Sequence, residues 1–369
     1  MFGVHVSDDS FAVWLEYTPL TATNLIALKS KLFPSKIDIH INEWIMKNSQ
    51  TTAFIDFGIR IYNPKSVNTI GFFVPYSIEE HEVEDLTSHL QNEETARGIF
   101  NANCTINIHR ETGILDLEYG IHKSNATTLP RRVAPSHSGT KIYFDLTSIK
   151  KRITRDEFYF RFRIPHNTLA TLLRKHKKTT NLLLSFFASP IIKEDYIYII
   201  RVNEMRTLPD DIRFNPTLQK QKINLVRVLL AFNGDLQIDS SSCYRLRKVE
   251  NLLEHYVPKN FNCEDSVVYH WLSENNPKNY YNFTFSFRKE TINKLSLGVY
   301  ASFVIVLSML ASLLFSRLDF TSALIGLPTA LANLLTALAS LLTIYPKFSI
   351  VVLLVALVLR ILVLNKSKK

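Results

Sequence analysis

The densest set of side chains able to bind an anion lies between residues 150 and 178, where ten Lys and Arg residues stand against two acidic ones. Arg161 and Arg163 alternate with Phe160 and Phe162, which is the period of a β-strand with one cationic and one apolar face. Guanidinium groups bind phosphate and carboxylate through paired hydrogen bonds. The predicted anion ligands are Arg161, Arg163, Arg152 and Arg155. The alternative is a solvated strand face followed by a basic helix end.

The common catalytic and metal-binding signatures are absent from the sequence. The ten glycines form no phosphate-binding loop, and neither Gly-x-Ser-x-Gly nor Cys-x-x-Cys occurs. His81 lacks a second histidine four residues later, which a helical metal site would need. Asp116 and Glu118 would share one strand face, but no lysine follows at the spacing of metal-dependent nucleases. We therefore predict no catalytic residues, no metal and no cofactor, and a protein that is not an enzyme.

Short alternating or β-branched runs separated by turn residues dominate the first 294 residues and predict β-strands. The predicted strands are 36–41, 53–62, 69–74, 104–109, 114–119, 141–146, 157–164, 182–188, 196–202, 223–232 and 280–288. Helical periodicity predicts helices at 21–33, 83–100, 167–177 and 242–256. Many strands and few helices favour a mainly β region, 1–290, with sandwich-like or barrel-like domains. The Pro-, Ser- and Arg-containing stretch 123–139 is a candidate sub-boundary within it.

The composition changes sharply at Leu295, after which the chain contains only seven charged residues. Residues 295–315 are a charge-free run of 21, and as a helix such a run is about 30 Å long, the thickness of a bilayer core. Residues 320–345 and 348–364 are two further runs of low charge. The predicted fold class is thus a mainly β region followed by a C-terminal α-helical transmembrane module, 291–369.

The number of membrane crossings stays open. Basic clusters at 288–294 and 366–369 both favour the cytosolic side, which requires an even number of crossings. Three apolar runs would give an odd number, so 320–345 either spans the bilayer or re-enters without crossing. The first residues lack a signal peptide, and the three cysteines fit no disulfide framework. We expect a multi-pass protein of the cell membrane with its β-rich region in the cytosol.

Small and polar residues in the middle run recur at spacings of three and four, which places them on one helical stripe. The stripe includes Ser322, Thr329, Asn333, Thr336, Ser340 and Thr343. Such a stripe is typical of a seam that lets helices pack closely. The alternative is a face that lines a polar pathway when several chains assemble.

Together these features predict a cytosolic sensor domain that responds to a ligand or partner and is coupled to oligomerising transmembrane helices that alter membrane permeability. In layout alone this resembles small membrane-acting effectors of bacterial defence. The alternatives are a membrane-anchored binding or scaffold module without pore activity and, less favoured, a membrane-anchored enzyme. The expected partners are the lipid bilayer, other copies of the chain, and an anionic ligand or a protein. Nucleic acid is disfavoured, because half of the net charge of +10 belongs to the C-terminal part.

Overall fold

The computed structural model divides the chain into two compact units, Met1–Lys177 with Glu194–Lys289, and Lys178–Lys193 with Glu290–Lys369. It describes residues 10–17, 35–45, 53–166, 174–176, 191–233, 236–238, 245–248, 255–258, 266–274 and 279–292, together with isolated residues and pairs from 253 to 308. In the first unit the described residues are mostly β-structure. In the second unit the described residues are the ends of two strands and a few helical residues after 296.

The described strands are β1 (Ala12–Tyr17), β2 (Lys36–Ile45), β3 (Ala53–Tyr62), β4 (Val67–Val74), β5 (Glu84–Asp85), β6 (Cys104–His109), β7 (Ile114–Tyr119), β8 (His122–Ala126), β9 (Arg131–Ser136), β10 (Gly139–Asp145), β11 (Glu157–His166), β12 (Arg174–His176), β13 (Ile191–Val202), β14 (Lys222–Asn233), β15 (Leu236–Ile238), β16 (Arg245–Lys248), β17 (Ser266–Glu274) and β18 (Tyr281–Ile292). The described α-helices are α1 (Glu93–Phe100), α2 (Asp210–Arg213) and α3 (Pro216–Lys220).

The strands form three sheets. The largest has ten strands in the order β16-β17-β14-β2-β3-β11-β8-β7-β6, with β5 added beside β11. In this sheet β14 runs parallel to β2 and β11 runs parallel to β8, whereas the other neighbours are antiparallel. The two smaller sheets have the orders β1-β4-β10-β9 and β12-β13-β18-β15.

One face of the ten-stranded sheet packs against the sheet that contains β1, β4 and β10. Alternation directs the isoleucines of β2 and β3 and the phenylalanines of β11 to this face, where they are buried. The rings of Phe57 and Phe72 lie 4.5 Å apart between their centroids, and those of Phe144 and Phe162 lie 4.8 Å apart. Two sheets joined by one apolar layer form a β-sandwich.

The opposite face of the same sheet carries polar and charged side chains. Cross-strand register arranges them in three rows, which are Asp38–Arg60–Tyr159, Arg227–His40–Gly58–Arg161 and Asn42–Asp56–Arg163. Most of these residues are buried. The sheet is therefore covered on both faces, as expected of a layer inside a domain rather than at its surface.

A second hydrophobic cluster covers this polar face. It joins Trp44 of the sheet to Leu90, to Phe100 at the end of α1, and to Leu253 and Phe261. The helix begins where the side chain of Asn92 accepts a hydrogen bond from the Thr95 amide (3.0 Å), and it ends at Asn101 in the left-handed conformation. Local capping thus fixes the position of one element of the cover.

The predicted transmembrane module is corrected by the described helices. The α-helices α1, α2 and α3 contain eight, four and five residues. An eight-residue helix is about 12 Å long, whereas a span needs about 30 Å. None of the helices in the described ranges is long and apolar enough to cross a membrane. Over the elements described in full, the fold class is therefore a mainly β fold with three short α-helices.

The other predictions that depended on the transmembrane module are therefore also wrong. They are the permeability-altering effector, the membrane-anchored scaffold, the membrane-anchored enzyme and the multi-pass membrane localisation. The predicted lipid and transmembrane-oligomer partners find no support in the described residues. Their premise was a span of sufficient length, which the described helices do not supply.

Parts of the sequence prediction fall outside the described residues. They include 320–345, 348–364, the whole polar stripe from Ser322 to Thr343, and most of 295–315. The predicted helix 21–33 and strand 182–188 also lie there. The division of the chain at 290 and the sub-boundary at 123–139 stay predictions.

Three predicted helices differ from the described structure. Residues 174–176 form β12 and residues 245–248 form β16, within segments predicted as helical. The long predicted helix 83–100 is broken, and α1 occupies only its last eight residues. The cause is pairing with the sheet, since the Leu86 amide donates to the carbonyl oxygen of Arg161 (2.9 Å) and β5 pairs with β11. Strand pairing overrides helical periodicity here.

Position 58 must be glycine because the side chains of Tyr159 and Arg161 lie directly over its Cα. A Cβ at this position would overlap the Tyr159 hydroxyl and would lie 2.9 Å from Nη1 of Arg161. We predict that Gly58→Ala lowers the free energy of unfolding by about 1–3 kcal/mol, the usual effect of overpacking. Urea denaturation measures it. On a Tyr159→Phe background, which removes the overlapping oxygen, the same change should cost less; an equal cost on both backgrounds would contradict this explanation.

Candidate functional site

The carboxylate of Asp56 is the centre of the buried polar face. It accepts hydrogen bonds from Arg163 at both oxygens, from Nε at 2.6 Å and from Nη2 at 3.1 Å. The indole Nε1 of Trp44 (2.7 Å) and the hydroxyl of Tyr256 (2.6 Å) donate to Oδ2. Nη2 of Arg161 lies 3.8 Å from the same oxygen. One buried negative charge therefore serves two buried guanidinium groups.

Arg161 is enclosed entirely by groups of the chain itself. Its guanidinium donates to the hydroxyls of Tyr159 (3.0 Å) and Tyr256. Asn42, with its amide oxygen turned toward the guanidinium, accepts from Nη2 at 2.6 Å. Burial alone would lower the pKa of Arg161, but Tyr256, Tyr159 and Asp56 outweigh it and raise that pKa. Arg161 is therefore a charged group in the interior.

A second cluster centres on Asp38. Its Oδ2 accepts from Nη1 of Arg60 and from the hydroxyl of Tyr62, each at 2.8 Å, and its Oδ1 accepts from Nδ2 of Asn224 at 3.0 Å. Arg60 also donates from Nε to the hydroxyl of Tyr119 at 3.1 Å. Asp38 and Arg60 are both buried. This pair satisfies the rule that buried charges are paired and hydrogen-bonded.

His122 joins the Asp38 cluster to Glu157 at the edge of the buried face. Nη1 of Arg60 lies 2.9 Å from Nε2 of His122, and Nδ1 of His122 lies 3.2 Å from the carboxylate of Glu157. Because arginine only donates, Nε2 accepts and Nδ1 donates. Burial would raise the pKa of Glu157, but the hydrogen bond from His122 and the charge of Arg60 lower it overall.

The middle row differs from the rows beside it, because it contains no carboxylate of its own, and only Arg161 reaches Asp56 of the neighbouring row. His40 is 3% exposed, and its Nε2 atom has no hydrogen-bond partner within the described part of the chain. Its ring lies against Phe100 and Tyr159, with centroids 6.3 and 5.8 Å apart. Burial, followed by the charges of Arg227 and Arg60, holds the pKa of His40 well below its usual value. The imidazole is therefore neutral near pH 7.

Arg227 faces His40 across the pair β14 and β2. Its Nε atom is buried, and its guanidinium makes no hydrogen bond or ion pair to any described residue. Burial and then the positive charge of Arg60 lower the pKa of Arg227, with Asp38 too weak to offset them. Arg227 is thus a half-buried cation that the described residues do not neutralise.

The four predicted anion ligands do not form one site. Arg161 and Arg163 come together around Asp56 on the buried face. Arg155 instead binds Asp116 (3.2 Å) and Glu118 (3.0 Å) from its Nη2 atom. Arg152 lies in an exposed turn and donates to the carbonyl oxygen of Thr112. Binding of an anion by these four residues stays a prediction.

Asp116 and Glu118, considered in the sequence as a metal-binding pair, are partners of Arg155. Asn125 also donates to Asp116. Groups of three or more potential metal ligands are absent among the residues that the structure describes.

The residues of β2 and β3 that build the polar face were not among the predicted site residues. Their signal is present, since Asp38, His40 and Asn42 alternate with isoleucines along β2, and Asp56, Gly58 and Arg60 do so along β3. Alternation of this kind usually indicates one solvated face. Only the covering cluster shows that the charged face is internal.

No family model and no curated protein matches the chain. Among solved structures, one similar chain is the Fcho1 Mu homology domain of Danio rerio with bound Eps15 peptide. The identity is 10%, the match covers 69% of this chain and 79% of that one, and the TM-score is 0.13. With so low a TM-score, this likeness carries no inference about the fold or function of the chain.

We predict that Asp56→Asn is strongly destabilising, because it leaves the buried Arg161 without a carboxylate and Arg163 with only the exposed carboxylate of Glu84, 3.6 Å from its Nη1. The expected loss of unfolding free energy is about 3–5 kcal/mol. Glu118→Gln is the matched control, since its partner Arg155 is partly exposed, and such pairs contribute about 1 kcal/mol or less. Denaturant titration of both variants compares them; similar losses would show that burial of the Asp56 cluster is not decisive.

His40 gives the stability of the protein a specific pH dependence. In the unfolded chain His40 takes up a proton below about pH 6.5. In the folded chain its pKa is much lower, because it is buried and faces Arg227, Arg60 and Arg161. Stability contributed by the neutral imidazole is therefore present above pH 6.5 and is lost as the pH falls. The loss from this residue grows as the pH falls below 6.5, by at most about 1.4 kcal/mol for each pH unit.

Removal of His40 tests this dependence. The His40→Leu variant should lose less stability than the wild type between pH 7.5 and 5.5, measured by urea denaturation at each pH. His137→Leu changes an exposed histidine and should leave the wild-type slope unaltered. Parallel curves for wild type and His40→Leu would contradict the assignment.

Proposed function

We propose that the chain is a binding module rather than an enzyme, and that it binds an oxyanion at Arg227 beside His40. The single observation that carries this proposal is the Arg227 guanidinium, half-buried on a covered sheet face without a carboxylate among the described residues. Carboxylate and phosphate oxygens are the groups that a guanidinium binds best.

The distribution of charge on the buried face supports an anion rather than a cation as ligand. Arg60 is neutralised by Asp38, and Arg163 is neutralised by Asp56. Asp56 must also serve Arg161, at the longer distance of 3.8 Å. Arg227 therefore adds positive charge to a face whose two central carboxylates are already engaged. An uncompensated buried charge is unfavourable, and an anion beside it would remove that cost.

His40 supplies a second polar atom in the same row. Its Nε2 atom is buried and without a hydrogen-bond partner in the described ranges. A neutral imidazole can place its proton on either nitrogen, so Nε2 can donate to an anion without becoming charged. Hydrogen bonding to a bound oxyanion would satisfy a group that is costly to leave unpaired.

The engagement of the acidic groups favours binding over catalysis. A general base needs a carboxylate or imidazole that can reach a substrate proton. Asp38, Asp56 and Glu157 each accept hydrogen bonds from side chains of the chain itself, and both nitrogens of His122 are used. Carboxylates and an imidazole that are already hydrogen-bonded within the chain are better suited to orienting a binding site than to transferring protons.

Inorganic phosphate is the probe for this site. We expect saturable binding of phosphate to the wild-type chain by isothermal titration calorimetry at constant ionic strength. Arg227→Met keeps the packing of the side-chain stem but removes the charge, and it should weaken binding at least about tenfold, the value of one charged hydrogen bond. Arg155→Met removes an arginine already paired with Asp116 and Glu118 and should leave the affinity unchanged.

Thermal stability separates a binding role from a structural one. Because Arg227 is not neutralised by the described residues, Arg227→Met should unfold without phosphate at a temperature equal to or above that of the wild type. Phosphate should raise the midpoint of the wild type but not that of the variant. Equal phosphate affinity in wild type and Arg227→Met, or no binding to either, would overturn the proposal.

A further inference from the structure

The outer edge of the ten-stranded sheet at β6 is open in the described structure. The strand order ends at β6, which pairs with β7 and with no other described strand. Thr105, Asn107, Ile108 and His109 are exposed along it. An edge strand of this kind presents unpaired backbone donors and acceptors that another strand can bind.

The other sheet edges are protected against such pairing, whereas β6 is not. β9, β12 and β16 contain arginine or lysine, β9 also contains a proline, and β15 has only three residues. At β1 the amides of Val13 and Leu15 donate to the side chains of Asn203 and Gln221. Charge, proline, shortness and cover are the devices by which proteins prevent edge pairing.

The composition of β6 favours pairing. Its sequence, Cys-Thr-Ile-Asn-Ile-His, contains no acidic residue, lysine, arginine or proline. Ile108 is 48% exposed, and Ile106 is only partly buried. Alternation places both isoleucines on the side of Cys104. A partner strand would therefore gain backbone hydrogen bonds and apolar contacts at the same edge.

We infer that β6 pairs with β6 of a second copy of this chain, antiparallel and with the two-fold axis at Ile106. This register places Ile106 opposite Ile106, Cys104 opposite Ile108, and Thr105 opposite Asn107. Apolar and polar residues alternate symmetrically about Ile106. Each apolar residue therefore lies opposite an apolar residue and each polar residue opposite a polar one, and like charges do not face each other. A second copy fits because a two-fold contact needs a self-complementary surface and closes both edges at once.

The association of the full-length chain tests this interface. Wild-type protein should form a dimer in sedimentation equilibrium, and Asn107→Lys, which places a charge beside the two-fold axis of the paired edge, should be monomeric at the same concentrations. Asn282→Lys is the matched control, because it makes the same change at an exposed position of β18 and should remain dimeric. Equal thermal midpoints of the two variants exclude misfolding as the cause.

Crosslinking tests the register. Under mild oxidation Ile106→Cys should give a disulfide-linked dimer, because residues directly opposite across an antiparallel pair have Cβ atoms about 4.5–5.5 Å apart. Asn107→Cys is more exposed but lies opposite Thr105, so it should not crosslink. A monomeric wild type, an undiminished dimer in Asn107→Lys, or stronger crosslinking at position 107 than at position 106 would each overturn the inference. A monomer that instead binds an unrelated peptide at β6 would count against it equally.

Discussion

The structure depends on the burial of charge within the ten-stranded sheet. Asp56 holds Arg163 through two hydrogen bonds and lies close to Arg161, while Trp44 and Tyr256 complete its coordination. Charges removed from water are tolerated only when geometry of this quality compensates for lost hydration. Tyr256 belongs to the cover of the sheet, and Trp44 of β2 packs against it, so the polar cluster fixes how the cover is placed as well as neutralising charge.

This constraint explains why one sheet supports two different interiors. The face toward β1, β4 and β10 is filled by isoleucine and phenylalanine and needs only close packing. The other face is held by directional hydrogen bonds, which fix the positions of its side chains. Tyr159 and Arg161 therefore fill the space above Gly58. An apolar layer accepts many rearrangements of similar volume, but a buried hydrogen-bonded network accepts few. The specificity of the fold therefore resides mainly in the polar layer.

The excess of positive charge on the polar face connects stability to recognition. The rows that contain Asp38 and Asp56 each pair an arginine with a carboxylate, whereas no described residue supplies a carboxylate to Arg227 in the row that it shares with His40. A group that is unfavourable in the free protein and favourable in a complex gives binding its driving force. The open edge at β6 is distinct from this face, and the two proposals rest on different residues and different physical interactions.

The sequence by itself determined the local periodicities. Alternation predicted most of the long strands, including β2, β3, β11 and β14, and placed the arginines and phenylalanines of β11 on opposite faces. It also suggested a membrane module from apolar content alone, which the described helices do not support. Tertiary structure alone decided that the charged face is internal, that Arg161 and Arg163 share Asp56, and that Arg227 has no such partner among the residues described. The reason is that alternation defines which residues share a face, whereas burial and pairing depend on segments distant in sequence, such as the one containing Tyr256.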